Sequence, residues 1–363
     1  MANLWYFLLS TSFVISTVNK CILANPAPCR TFKEYVDYFF EDDDVEVEFF
    51  KYTIGHNNVK NLKFDPAKRT TIIVHGFMNT HKNDWIRKMR QKLLQWQDMN
   101  VIVVDWSSVF LEDSFAYYKE AARKTEFVAD EIYNFLINWA KKNKKTPIQW
   151  PYLHLIGHSL GAHIVGQVAK KLKPHVHVDR VTALDPAKPF FIEGAEGADL
   201  KLDKSCAQFV DVIHTNSHPR DDTFGLYEPL GHIDFYPNGG DQQWLCSNDR
   251  EGRTLSKDSV FIKCFSHLFL GMDLSQLYGN ITSRFLNGHN MVCDHNICPE
   301  YFTDSINSKE PLYAYKVNPP IRKKKNRCSN TNRKKGTWVE MGMNAYLYNN
   351  SRYHGTYYID IPC

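Results

Sequence analysis

The stretch Leu153 to Gly161, L-H-L-I-G-H-S-L-G, restricts the fold of this chain more than any other. An apolar run enters Gly157-His158-Ser159-Leu160-Gly161 without a spacer. Helical spacing then begins at once, at Ala162, Val165, Val168 and Ala169. A chain that passes from strand to helix across one serine has little room for neighbouring side chains, which suits glycine at 157 and 161. The same turn lifts a serine hydroxyl clear of the sheet and places the next backbone N–H, that of Leu160, at a helix N-terminus. Five residues alone also fit a Gly/Ser loop of no chemical interest, so the surroundings must decide.

The surroundings alternate. Val45, Val47 and Phe49 read as a strand, and Thr70 to His75 is a β-branched run closed by Gly76. Trp85, Met89, Leu93 and Leu94 have helical spacing, Val101 to Val104 reads as a second buried strand, and Val128, Ile132, Phe135, Leu136 and Trp139 share a helix face. After strand 152–157 and a helix to about Lys173, a further strand runs from Val178 to Leu184. Strands alternating with helices predict an α/β fold, a mainly parallel central sheet with helices on both faces. Such sheets gather function at the carboxyl ends of their strands. His75-Gly76, Ser159 and Asp185 each stand where a predicted strand ends.

A serine hydroxyl is a weak nucleophile and needs a base, and the base needs a carboxylate to hold its tautomer. In strand-turn-helix sites of this kind the chain order is serine, acid, histidine. Asp185 supplies the acid. The chain has 15 histidines, so order alone does not choose the base. His267 is the candidate because Cys264, three residues earlier, could anchor its loop through a disulfide. Phe77, after the flexible Gly76, is the candidate second backbone donor to an oxyanion, beside Leu160.

At this point the sequence resembles the pancreatic-lipase-like α/β-hydrolases, which include neutral lipases and phospholipases A1. The matching residues are V-H-G-F (Val74 to Phe77), G-H-S-L-G, L-D-P-A (Leu184 to Ala187), F-V-D-V-I-H-T (Phe209 to Thr215), G-H-I-D-F-Y-P-N-G-G (Gly231 to Gly240) and C-F-S-H (Cys264 to His267). Met341-Gly342 and Gly355 to Tyr358 are similar to the family's closing strands. The resemblance implies an α/β-hydrolase fold with Ser159 as nucleophile, Asp185 as acid, His267 as base, and Phe77 and Leu160 as oxyanion donors. It implies one lipase domain over 25–363 without the C-terminal β-sandwich of the larger lipases. A Cys246–Cys264 disulfide would bracket a lid over Ser247 to Lys263, and Cys293–Cys298 would close a small loop. The family's calcium site is altered: Lys201 to Ala207 reads K-L-D-K-S-C-A, with Cys206 where an aspartate is usual. The expectation is therefore no metal and no cofactor, with Cys206 in a disulfide.

The implied lid is short and polar, with Asp249, Arg250, Glu251, Arg253, Lys257 and Asp258. A charged lid tolerates polar head groups, which favours phospholipase A1 action on the sn-1 ester of phospholipids. Residues 216–230 form a second gate that is not clearly truncated, which argues for triacylglycerol lipase instead. A catalytically silent lipid-binding protein is the third reading, disfavoured by the intact serine, aspartate and histidine.

Leu4 to Val18 is largely apolar, with small residues near Ala24, and predicts a signal peptide over 1–24; a membrane anchor is the alternative. Nine cysteines fit the secreted, extracellular location this implies. Removing Cys21 with the leader would leave an even set, in which the pairing of Cys29, Cys206, Cys328 and Cys363 stays open. Asn280 and Asn349 head N-x-S/T sequons. A net charge of +4 gives no reason to expect nucleic acid. The basic segment 322–335, with Arg322 to Arg327 and Arg333 to Lys335, reads either as a solvated loop or as a binder of anionic lipid or heparan-type polymers.

Overall fold

The computed structural model describes residues 37–42, 45–51, 65, 67–109, 117–142, 150–219, 223–246, 291–317 and 337–361. Among these, alternating apolar strands build one sheet. Its strands are β1 (Asp37–Asp42), β2 (Val45–Lys51), β3 (Thr70–Val74), β4 (Asn100–Asp105), β5 (Leu153–His158), β6 (Arg180–Leu184), β7 (Phe209–Ile213), β8 (Ile233–Pro237), β9 (Tyr313–Val317), β10 (Trp338–Glu340) and β11 (Gly355–Ile359). The 11-stranded order is β10-β9-β11-β8-β7-β6-β5-β3-β4-β1-β2. The run from β11 to β4 is parallel throughout. Antiparallel partners close both ends: β1 on β4 with β2 beyond it, and β9 on β11 with β10 beyond it.

Strands β3 to β8 are buried on both faces, and their side chains divide with the period of two that a pleated strand imposes. Ile72 and Val74 of β3, with Ile102 and Val104 of β4, face one core, while Ile73, Val101 and Val103 face the other. The first core is covered by α3 (Thr125–Lys142) and α4 (Leu160–Leu172), which supply Val128, Ile132, Phe135, Val165 and Val168. The second is covered by α1 (Asp84–Trp96) and α6 (Cys298–Ser305), with Trp85, Ile86, Met89, Leu93 and Phe302. Two short helices complete the set, α2 (Tyr118–Arg123) and α5 (Met291–Asn296). Each such aliphatic side chain contributes about 1.5–3 kcal/mol when buried. A one-residue slip of β3 would therefore misplace an entire face.

The parallel, doubly covered sheet is the α/β-hydrolase architecture that the sequence predicts. One closing element differs. Gly355–Ile359 is a strand, but Met341-Gly342 is a turn in which Gly342 has φ 93°. That turn is held from below by Arg180, buried at the start of β6. Its guanidinium grips both carboxylate oxygens of Asp211 at 2.8 Å and donates to the carbonyls of Gly342 (2.8 Å) and Met343 (2.7 Å). No helix among the described residues is long and apolar enough to cross a membrane.

Candidate active site

β5 ends in the predicted elbow. Ser159 has φ 57° and ψ −121°, a backbone conformation a side-chain-bearing residue rarely adopts, and α4 starts at Leu160. Such strain persists only where the surroundings enforce it. Here the enforcement is close packing against glycine. A Cβ on Gly157 would stand 2.2 Å from the Gly161 carbonyl oxygen, and one on Gly161 would stand 2.3 Å from that of Val74. The serine backbone is pinned as well: its N–H donates to Leu184 (3.0 Å), and its carbonyl accepts from Ala162 (3.1 Å) and Ala187 (3.3 Å). The residue before the acid thus holds the residue expected to be the nucleophile.

Asp185 leaves the end of β6 with φ 42° and is fully buried. Its Oδ1 accepts from the backbone N–H groups of Thr215 (2.8 Å) and Asn216 (3.1 Å), at the end of β7. Its Oδ2 meets Nδ1 of His295 at 2.6 Å. His295 stands on α5, and its ring packs edge-on against Phe224 at 5.6 Å. Within 216–230, the expected second gate, the described part lies against this acid. Gly225 is so close that a Cβ there would stand 2.5 Å from Asp185 Oδ1. Leu226 donates to Pro186 (2.8 Å), and Lys188 donates to Phe224 (2.6 Å).

The other wall comes from the end of β3. Gly76 approaches the elbow so closely that a Cβ would meet the Ser159 Cβ at 2.7 Å. His75 beneath it contacts Asp105 at 3.2 Å, and the Trp106 indole donates to the His75 carbonyl at 2.8 Å. Burial alone would raise the Asp105 carboxyl. Its bonds and charge interaction with His75, and its bonds to His81 and Ser107, hold it well below the usual carboxylate range instead. Phe77 packs edge-on against Tyr118 at 5.4 Å, and the Tyr118 hydroxyl donates to Pro189 at 3.1 Å. Phe77, Ser159, Leu160 and Asp185 are thereby gathered at the carboxyl ends of β3, β5 and β6.

Three cysteine expectations change, and so does the histidine beside Asp185. The place beside Asp185 belongs to His295, whereas His267 lies outside the described residues. Both carboxylate oxygens are already engaged, and it is the short helix α5 that delivers the imidazole. Cys246 pairs with Cys293, not with Cys264, across a sequence separation of 47 and a Cα–Cα distance of 5.6 Å. The reason is local: the Gln243 N–H donates to Asp294 Oδ1 at 2.7 Å, which docks α5 beside the turn that carries Cys246. Cys298 is then not Cys293's partner. It is a buried free thiol that donates to the Ile213 carbonyl at 3.3 Å, and burial pushes its pKa well up, with the Asp185 charge adding to the shift. Cys206 is likewise a buried free thiol, facing the Asp203 N–H at 3.5 Å, and not half of a disulfide. Cys264, Asn280, the leader and the basic segment 322–335 lie outside the described residues. Asn349 is exposed, at the end of a 3-10 turn.

His295 carries the same kind of signal that drew attention to His267. It follows a cysteine closely, within Cys293-Asp294-His295. Spacing from a cysteine gave no means of choosing between the two.

A strained serine between a parallel strand and a helix, with an acid at the end of the next strand, defines an α/β-hydrolase. A sequence model described as Lipase matches residues 27–267, and the chain belongs to that family. It is 35% identical over 221 residues to pancreatic lipase-related protein 2 of Rattus norvegicus, covering 57% of this chain and 45% of that one. Against the protein of the same name from Cavia porcellus the figures are 36% over 190 residues, covering 50% and 40%. Against pancreatic triacylglycerol lipase of Mus musculus they are 30% over 248 residues, covering 68% and 50%. The chain thus spans half the length, or less, of these relatives.

Proposed function

We propose that this protein is a serine hydrolase of lipid acyl esters. The observation that carries the reading is the 2.6 Å contact between His295 Nδ1 and Asp185 Oδ2 at the end of the strand next to the strained Ser159. With its Nδ1–H donated to the carboxylate, the imidazole keeps Nε2 as the basic nitrogen. Ser159 Oγ attacks the ester carbonyl as His295 takes its proton, and the Phe77 and Leu160 N–H groups receive the negative charge on the carbonyl oxygen. His295 returns the proton to the departing alcohol. Water, activated by the same base, then releases the fatty acid from Ser159. No step calls for a metal or cofactor.

The substrate is a phospholipid or a glyceride at a lipid surface. The preference for phospholipase A1 rested on a short lid between Cys246 and Cys264. With Cys246 joined to Cys293 the bracketed segment is far longer, and that support falls away. Triacylglycerol lipase therefore stands level with phospholipase A1, supported by the likeness to proteins named pancreatic triacylglycerol lipase. Secretion is proposed on the leader and the disulfide.

The test is fatty-acid release by wild type beside Ser159→Ala, on emulsified triglyceride and on phosphatidylcholine with distinguishable sn-1 and sn-2 chains. Serine-dependent release of the sn-1 chain with little triglyceride cleavage identifies a phospholipase A1. Dominant triglyceride cleavage identifies a triacylglycerol lipase. No serine-dependent release from either moves the weight to a silent lipid-binding protein.

A further inference from the structure

The elbow motif requires its two glycines and its serine but leaves the residue between Gly157 and Ser159 open. Here that residue is His158. The side chain is buried on the side of the sheet that faces α1 and α5. It contacts Trp85 edge-on at 5.9 Å, lies 4.8 Å from the His295 ring, and presents Nε2 to the backbone carbonyl of His295 at 3.1 Å.

That carbonyl has a specific need. It lies in the last turn of α5, where carbonyls lose their helical partners. The residue four positions on, whose N–H would ordinarily serve it, is Pro299, which has none. A buried carbonyl left without a donor is destabilising, because its lost hydration is not replaced. It would relax by tilting α5, and with it the imidazole that α5 carries.

We propose, on the reading that His295 is the base, that His158 is a positioning residue: its Nε2–H replaces the missing Pro299 N–H and fixes the backbone of His295. His295 is then held at two points, by Asp185 through Nδ1 and by His158 through the main chain. The nucleophile's own neighbour sets the height of the base above the elbow. A neutral ring with the proton on Nε2 is required, and burial, together with the adjacent His295, keeps His158 well below the usual imidazole range.

The choice of variant separates this role from ordinary packing. Glutamine can present its amide donor near the position of histidine Nε2, whereas asparagine reaches only the Nδ1 position, and leucine fills space without donating. The experiment measures kcat and KM on a soluble p-nitrophenyl ester for wild type, Ser159→Ala, His158→Gln, His158→Asn and His158→Leu, with thermal midpoints for each. Proton NMR of the low-field His295–Asp185 hydrogen bond is recorded in parallel. His158→Gln should keep most of the wild-type kcat. Asparagine and leucine should lose about 10–100-fold in kcat with KM little changed, since a misplacement near 1 Å costs that much. The low-field proton should persist in His158→Gln and broaden or shift in His158→Leu. Equal rates in all three variants, or a loss confined to KM, would overturn the proposal, as would an unchanged low-field proton in His158→Leu. A wild type no more active than Ser159→Ala would refute the hydrolase reading instead, and the NMR comparison would still decide the role of His158.

Discussion

Asp185 and His295, 110 residues apart in sequence, meet through a 2.6 Å hydrogen bond inside the protein. The carboxylate is not free to turn, because the Thr215 N–H donates to its other oxygen at 2.8 Å and the Asn216 N–H is shared between the two at 3.1 and 3.2 Å. The acid is therefore oriented before any substrate arrives.

That orientation makes Asp185→Asn informative. The Thr215 N–H demands an oxygen on its side, so the new amide N–H₂ must face His295. The imidazole then has to accept at Nδ1 and carry its proton on Nε2, which removes the base. We expect kcat on a lipid ester to fall about 10⁴-fold while the variant stays folded by circular dichroism. A loss under tenfold would contradict this.

The disulfide assignment is checked by non-reducing peptide mapping, which should recover Cys246 linked to Cys293. Cys206 and Cys298 should be alkylated only after unfolding, since both are buried thiols. Cys293→Ser should lower unfolding free energy by about 4 kcal/mol on the chain-entropy account of a loop this long. A recovered Cys246–Cys264 peptide would return the lid to its short form.

Arg180 and Asp211 form a fully buried ion pair. Arg180→Met should cost about 3–5 kcal/mol, because Asp211 is left charged and the Gly342 and Met343 carbonyls lose their donor. Adding Asp211→Leu should recover part of that loss, and denaturant midpoints of the two variants check the order. A double variant less stable than the single one would contradict the reading.

Stability should also depend on pH through buried imidazoles. Burial holds His154 and His158 well below 6.5 and brings His163 to about 3, with nearby arginine or lysine charges adding for His154 and His163. The unfolded chain takes up these protons near the ordinary value, so it binds more of them and stability rises with pH. The contribution is complete above about pH 6.5 and is lost as pH falls below it, by on the order of 1 kcal/mol per pH unit for each histidine. Urea midpoints between pH 7.5 and 4.5 measure this, and a flat profile would contradict it. Asp105, whose carboxyl is held low, acts in the same direction only at more acid pH.

Much of this arrangement was legible in the sequence, because it rests on local rules. β-branched runs marked β3 and β4, three- and four-residue spacing marked α1 and α3, and two glycines around Ser159 marked the elbow. What local rules do not reach is pairing across distance. Cys246 finds Cys293 because Asp294 caps the turn at Gln243, and nothing in the spacing of cysteines contains that contact. The same docking brings His295 to Asp185, so the changed disulfide and the proposed change of base rest on one contact. Arg180 escaped notice for a related reason: an arginine at the start of an apolar strand looks like a solvated end until Asp211 and the Gly342 turn close over it.

The measurement that tests the account most directly compares His295→Ala with His267→Ala, each purified beside wild type and assayed for serine-dependent ester hydrolysis. The structure predicts that His295→Ala loses about 10⁴-fold or more in kcat while remaining folded. His267→Ala should stay within a few-fold of wild type. The reverse pattern, with activity surviving in His295→Ala and vanishing in His267→Ala, would contradict the assignment of the base.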